Sequence, residues 1–228
     1  MIKSFLITLS FSTLLFSSQQ IVLVVADDFN SSRATLTCYE NEKVVCKDFK
    51  VNLGKNGLGW GIGIENIPHA TNEPVKHEGD KKAPAGIFSL TDAFGYDYKF
   101  RTKLPYIHAD TDTICVDDSN SPFYNQIIQA HGDEKSFEHM RRDDELYKTG
   151  VFVAHNPHAA AQRGSCIFLH IQRGDNIPTV GCTSMKEKDL KRIVMWLDKK
   201  KNPILIQIPK KYLNEVKRYY PALRNSQK

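Results

Sequence analysis

Ser165-Cys166-Ile167-Phe168-Leu169-His170 and, a short way on, Thr179-Val180-Gly181-Cys182-Thr183-Ser184 decide how this chain of 228 residues is read. The first is a strand-like apolar run that ends on a histidine. The second sets a cysteine directly after a glycine. Beyond them, Ser184-Met185-Lys186-Glu187 has the capping-box pattern that opens a helix. Leu190, Ile193, Val194 and Leu197 then recur at helical spacing. This reading puts Cys182 two residues before the N-cap, where unpaired backbone N–H groups and the helix dipole favour negative charge. A thiol nucleophile needs such an environment and a nearby base, and His170 is the candidate base. Gly181 lets the backbone turn and aim amides at a developing oxyanion. The alternative is a buried structural cysteine beside a core histidine.

Working outward, the chain reads mainly as strands. Residues 21–26, 33–38, 44–51, 86–90, 114–116, 151–154, 166–171 and 204–208 alternate or run apolar between polar turns. Residues 54–63, GKNGLGWGIG, are too rich in glycine for a helix. Helical patterns cover 186–199 strongly, 134–147 weakly and 211–220 as a basic tail. Residues 91–149 read as a loop-rich insertion. The expected fold is a predominantly β domain with one helix after the candidate nucleophile.

Composition fits a single soluble globular domain, with 41% apolar and 25% charged residues. The net charge of +5 gathers in lysine clusters near the C-terminus. Without a zinc-finger, RNP or helix-turn-helix pattern, a solvated basic face is expected rather than a nucleic-acid site. Lys3 followed by the apolar run 5–16 reads as an export signal over residues 1–18, or as an N-terminal anchor. Only the uncleaved form would involve a membrane. The domain is therefore expected outside the cytoplasm, in the periplasm or cell envelope of a bacterium.

Five cysteines leave at least one free thiol. Cys38 and Cys46 flank a polar turn and would face each other in a hairpin. Cys115 and Cys166 pair if the fold brings them together, which would leave Cys182 free; the connectivity is open at this point. Cys166 is the rival nucleophile, since on a strand it would share a face with His170. A zinc site would draw on His155, His158, Cys166, His170 or Cys182, but no common paired-ligand spacing occurs, and no metal or other cofactor is expected. His155 after the strand at 151–154 is a candidate cleft residue.

Gly79-Asp80-Lys81-Lys82-Ala83-Pro84-Ala85-Gly86, then Ile167-Phe168-Leu169-His170, then Gly181-Cys182, resembles in that order the L,D-transpeptidase catalytic domain (YkuD-like), as a divergent branch over residues 20–210. The resemblance implies an L,D-transpeptidase-like β-sandwich over 20–210, and the lysine-rich residues beyond it, 211–228, read as a basic tail. It implies Cys182 as nucleophile and His170 as base. The Ile171 carbonyl would orient the histidine, and the amides at Gly181 and Cys182 would hold the oxyanion. Thr179, Thr183, Ser184 and His155 would be substrate contacts. The family pattern Ser/Thr-His-Gly-Cys stands here as Thr179-Val180-Gly181-Cys182, without its second histidine, and Ser184 occupies a position usually held by Arg or Asn.

On this reading the partners are peptidoglycan stem peptides. The thiolate would form a thioester and pass the acyl group to an amine, making the protein a transpeptidase. With water as acceptor the same site would be an L,D-carboxypeptidase. The alternative from another class is a catalytically silent peptidoglycan-binding module.

Overall fold

The computed structural model describes residues 19–224; the proposed export segment at 1–18 lies outside the described residues. In chain order the strands are β1 (Gln20–Ala26), β2 (Arg33–Glu40), β3 (Lys43–Asn52), β4 (Leu58–Trp60), β5 (Ala83–Gly95), β6 (Tyr106–His108), β7 (Thr113–Val116), β8 (Ile127–Gln129), β9 (Phe137–His139), β10 (Thr149–Val153), β11 (Phe168–Ile171), β12 (Thr183–Met185) and β13 (Ile204–Pro209). The α-helices are α1 (Glu187–Trp196) and α2 (Leu213–Tyr219).

The fold is mainly β, as expected, but its sheet closes on itself. Neighbours follow the order β10-β11-β12-β3-β2-β1-β13-β5, and pairing of β10 with β5 completes an eight-stranded barrel. The expected sandwich is corrected by that one contact. β5 is long enough, at thirteen residues, to pair with β13 through residues 86–89 and with β10 through residues 90–95. β1–β13 and β11–β12 are parallel, and the other ring pairs are antiparallel. Gly150, where β10 crosses β5, has no room for a side chain: a Cβ there would lie 2.2 Å from the Phe94 ring.

β1 and β13 are buried on nearly every residue, whereas β2 and β3 bury only some of theirs and leave others toward solvent. Leu36, Phe88, Leu205 and Ile206 are fully buried. On the outside α1 packs against β10 and β11 with Leu190, Ile193 and Val194, each side chain worth about 1.5–3 kcal/mol on burial. Gln207 and Thr183 are among the buried polar residues of the barrel. Gln207 Oε1 accepts from the Thr183 hydroxyl at 2.7 Å and Gln207 Nε2 donates to the Pro84 carbonyl at 2.8 Å.

Two sequence expectations about helices change. Residues 134–147 are not helical; they form β9 and a series of turns. Their alternation of charged and apolar residues serves a three-stranded sheet, β8-β7-β9, that gives the insertion more order than a loop. The capping box also fails. Ser184 lies in β12, the N-cap is Lys186, and it makes no side-chain cap bond. Pairing of Ser184 with His170 and Asn52 claims the backbone that the cap would have used.

The insertion has its own apolar centre, where Phe94, Ala109, Cys115, Met140, Tyr147, Cys166, Phe168 and Cys182 pack together. Disulfides join Cys38 to Cys46 across β2 and β3, and Cys115 of β7 to Cys166 before β11. The second ties the insertion to the barrel.

Candidate functional site

Cys182 ends the turn that leads into β12, and a short network shapes that turn. The Thr179 hydroxyl donates to the Cys182 carbonyl at 2.6 Å and accepts from the Gly181 N–H at 3.1 Å. Gly181 adopts φ 154°, a conformation that suits glycine. Its amide, read from sequence as an oxyanion donor, is thus engaged by Thr179.

β12 lies beside β11, which brings Cys182 level with Phe168. The Phe168 N–H donates to Sγ at 3.3 Å, and Sγ in turn faces the Cys166 carbonyl at 3.5 Å. His170, two residues further along β11, is turned to other partners. Its Nδ1 lies 2.8 Å from the Ile171 carbonyl, and its ring meets the edge of Tyr147 at 5.2 Å. A carbonyl can only accept, so Nδ1 carries the proton. Among the described residues no hydrogen bond joins His170 to Cys182.

The electrostatics run against a thiolate. Burial pushes the Cys182 thiol up to about 12, and the Glu138 carboxylate nearby adds to the shift. Burial pulls His170 down to about 4, so its imidazole is neutral at neutral pH. The thiolate–imidazolium pair is disfavoured at both ends. The burial comes from the apolar cluster that Cys182 shares with Phe94, Cys115, Met140, Tyr147, Cys166 and Phe168. The α1 dipole gives little relief, since β12 stands between Cys182 and the helix.

Cysteine catalysis is therefore corrected. Four of the five cysteines are oxidised in disulfides, which removes Cys166 as a rival nucleophile. The fifth, Cys182, is a reduced thiol, but it is buried, protonated and bonded to backbone groups. The thioester mechanism falls with it. So do the transferase, acyltransferase and L,D-transpeptidase readings and the carboxypeptidase variant that shares the same sulfur.

The site is nevertheless open. Cys182, His170, Thr179 and Ser184 line a cleft of about 360 Å³ together with Arg142, Tyr147, Arg173, Ile177 and Val180. On the other side of Cys182 lies a smaller cavity of about 210 Å³, lined by Glu78, Asp117, Glu138 and Ser165. Tyr147 spans the region between them, donating its hydroxyl to Glu138 at 2.6 Å. Burial, followed by the Asp117 charge, raises the Glu138 pKa against the pull of that bond.

Other sequence candidates are placed elsewhere. The Thr183 side chain points inward to Gln207. His155 is a buried structural peg: Nδ1 accepts from the Ile62 N–H at 3.3 Å, and Nε2 lies 2.8 Å from the Arg163 carbonyl. It lines a separate cleft with Phe152 and Asn125. The zinc set read from sequence does not survive, with Cys166 oxidised and both His155 nitrogens engaged. The one group of potential metal ligands among the described residues, His131, Asp133 and Glu134, is of mixed exposure, and Glu134 already accepts from the backbone amides of His131 and Gly132.

The Gly79-Asp80 motif is structural in this protein. The Asp80 carboxylate gathers the Lys82 and His77 amides and the buried Lys76 ammonium, and so fixes the approach to β5. Sequence order and barrel agree with one comparison: the model of the L,D-transpeptidase catalytic domain (YkuD) matches residues 22–206. The chain belongs to this family. No curated protein and no solved structure gives a match. Within the YkuD fold, Arg142, Tyr147 and Arg173 are the cleft residues that sequence reading missed. Arg142 and Tyr147 lie in the insertion, and no local pattern shows that they meet Arg173 across the cleft.

Proposed function

We propose that this YkuD-family domain is a non-catalytic peptidoglycan-binding module that takes a stem peptide into the Cys182 cleft. The observation that carries this reading is an accessible cleft whose only thiol is buried and held as the neutral form. Such a site offers shape, hydrogen bonds and charge to a ligand without offering a nucleophile. Thr179 and Ser184 are proposed as polar contacts on its floor. His170 is proposed as a neutral polar wall, positioned by the Ile171 carbonyl.

The working unit is proposed to span residues 20–210 with an ordered insertion at 91–149 and a basic tail at 211–228. Two disulfides support an oxidising compartment, the periplasm or cell envelope. Among the described residues no helix is long and apolar enough to cross a membrane.

Co-sedimentation with purified sacculi, followed by analysis of the muropeptides, tests the proposal. The protein is expected to pellet with sacculi while the muropeptide profile stays unchanged. Cys182→Ala should pellet equally well. Release of a terminal amino acid or new cross-links, lost in Cys182→Ala, would overturn the reading; so would failure to pellet.

A further inference from the structure

The charged end of the cleft has a construction of its own. Arg142 comes from the insertion and Arg173 from the turn after β11, and Asp144 joins them. Its carboxylate accepts from Nε and Nη2 of Arg142 at 2.8 and 2.7 Å and from Nη2 of Arg173 at 3.0 Å. The Arg142 guanidinium is also braced over the Tyr147 ring, 5.1 Å from its centroid. Two guanidiniums on one carboxylate leave one positive charge in excess. The Nη1 groups of both arginines have no partner among the described residues.

Arginine in this state is a fixed donor array, since its orientation is set before any ligand arrives. Its planar fork matches the geometry of a carboxylate. The wall beside it is apolar: Ile177 and Val180 both line the cleft, and Val180 is 70% exposed. A ligand that fits both features carries a carboxylate next to a small aliphatic side chain.

We propose that Arg142 and Arg173, ordered by Asp144, form the element of this cleft that reads a free carboxylate on a bound peptide. The inference rests on the peptide-binding reading above and names the chemistry that the cleft selects. Either the peptide's C-terminus or an acidic side chain supplies that carboxylate, and the experiment separates the two.

Isothermal titration would use a synthetic tetrapeptide of stem-peptide composition, its C-terminal amide, and a form amidated at the side-chain carboxyl. One of the two amides is expected to bind the wild-type protein about tenfold more weakly than the free acid, and which one identifies the source. Arg173→Gln should lose about tenfold on the free acid and bind it and that amide alike. Arg173 is mostly exposed, so the variant should melt like the wild type. Equal affinity for all three peptides, or discrimination retained in Arg173→Gln, would overturn the inference and leave the binding module standing. Binding of sacculi but of none of the peptides would also overturn it. Loss of both sacculus and peptide binding would remove the underlying reading too.

Discussion

The sulfur of Cys182 lies 3.5 Å from the backbone carbonyl of Cys166, a residue that is itself half of a disulfide. The free thiol, although it borders the same cleft as His170, is therefore held against the backbone of the segment that the second bridge anchors, and no hydrogen bond ties it to the histidine. This placement accounts for both its burial and its raised pKa.

Reaction with iodoacetamide should show it. With a thiol pushed up to about 12, the thiolate fraction at neutral pH is about a thousandfold below that of an ordinary cysteine. Native protein is expected to label slowly, and denatured unreduced protein to take up one equivalent at Cys182. Complete labelling within minutes under native conditions would contradict the burial argument.

The two disulfides should differ in worth. Cys115–Cys166 closes a loop with a sequence separation of 51 and Cys38–Cys46 one of 8. Chain entropy assigns about 4 kcal/mol to the longer loop and about 2.5 kcal/mol to the shorter. In urea titrations the Cys115→Ala/Cys166→Ala double variant should lose more stability than Cys38→Ala/Cys46→Ala. The reverse order would mean that the insertion stays docked without its bridge.

Acid should destabilise the fold well above the carboxylate range. Burial lowers both His155 and His170 to about 4. An unfolded histidine titrates near 6.5, so between about 6.5 and 4 the unfolded chain binds more protons than the folded one. The stabilisation is complete above the unfolded value and is lost as pH falls toward 4. Melting temperatures should drop through that window, and His155→Asn should flatten the slope if the variant folds. A melting temperature independent of pH from 7 to 4 would refute the assignment.

Thr183→Val tests the polar strut inside the barrel. It deletes the hydroxyl that satisfies Gln207 Oε1 while keeping the side chain's shape, and Gln207 is fully buried. Leaving that oxygen without a donor should cost about 1–3 kcal/mol, measured by denaturant unfolding. A neutral result would show that the amide finds another donor.

The strands at β1, β2 and β3 were legible because alternation and polar turns are local signals, and the Cys38–Cys46 pairing followed from the same hairpin. β12 was not legible. Its Thr183-Ser184-Met185 looks like a helix cap, and only pairing with β3 and β11, far away in sequence, makes it a strand. The Gly79–Gly86 segment, His170 and the Gly181-Cys182 pair, in that order, carried the resemblance to the family that the comparison shows. It could not show that Thr179 occupies the Gly181 amide, or that Tyr147 and Phe168 from distant segments enclose the thiol. The enclosure of the thiol depends on how the insertion packs, and its charged stretch at 134–147 resembles a helix until β7 provides a partner.

Closure of the ring also sets an order of events. β13 sits between β1 and β5, so on that side of the ring the earliest barrel strand and the long central strand are joined through residues 204–209. Until that segment is available, β1 and β5 each keep a bare edge, and the non-local pairing makes assembly slow. A chain delivered amino end first would stay open, and prone to stray strand pairing, until almost all of it had arrived. Chaperone protection is thus needed most by a species with its final strand still missing.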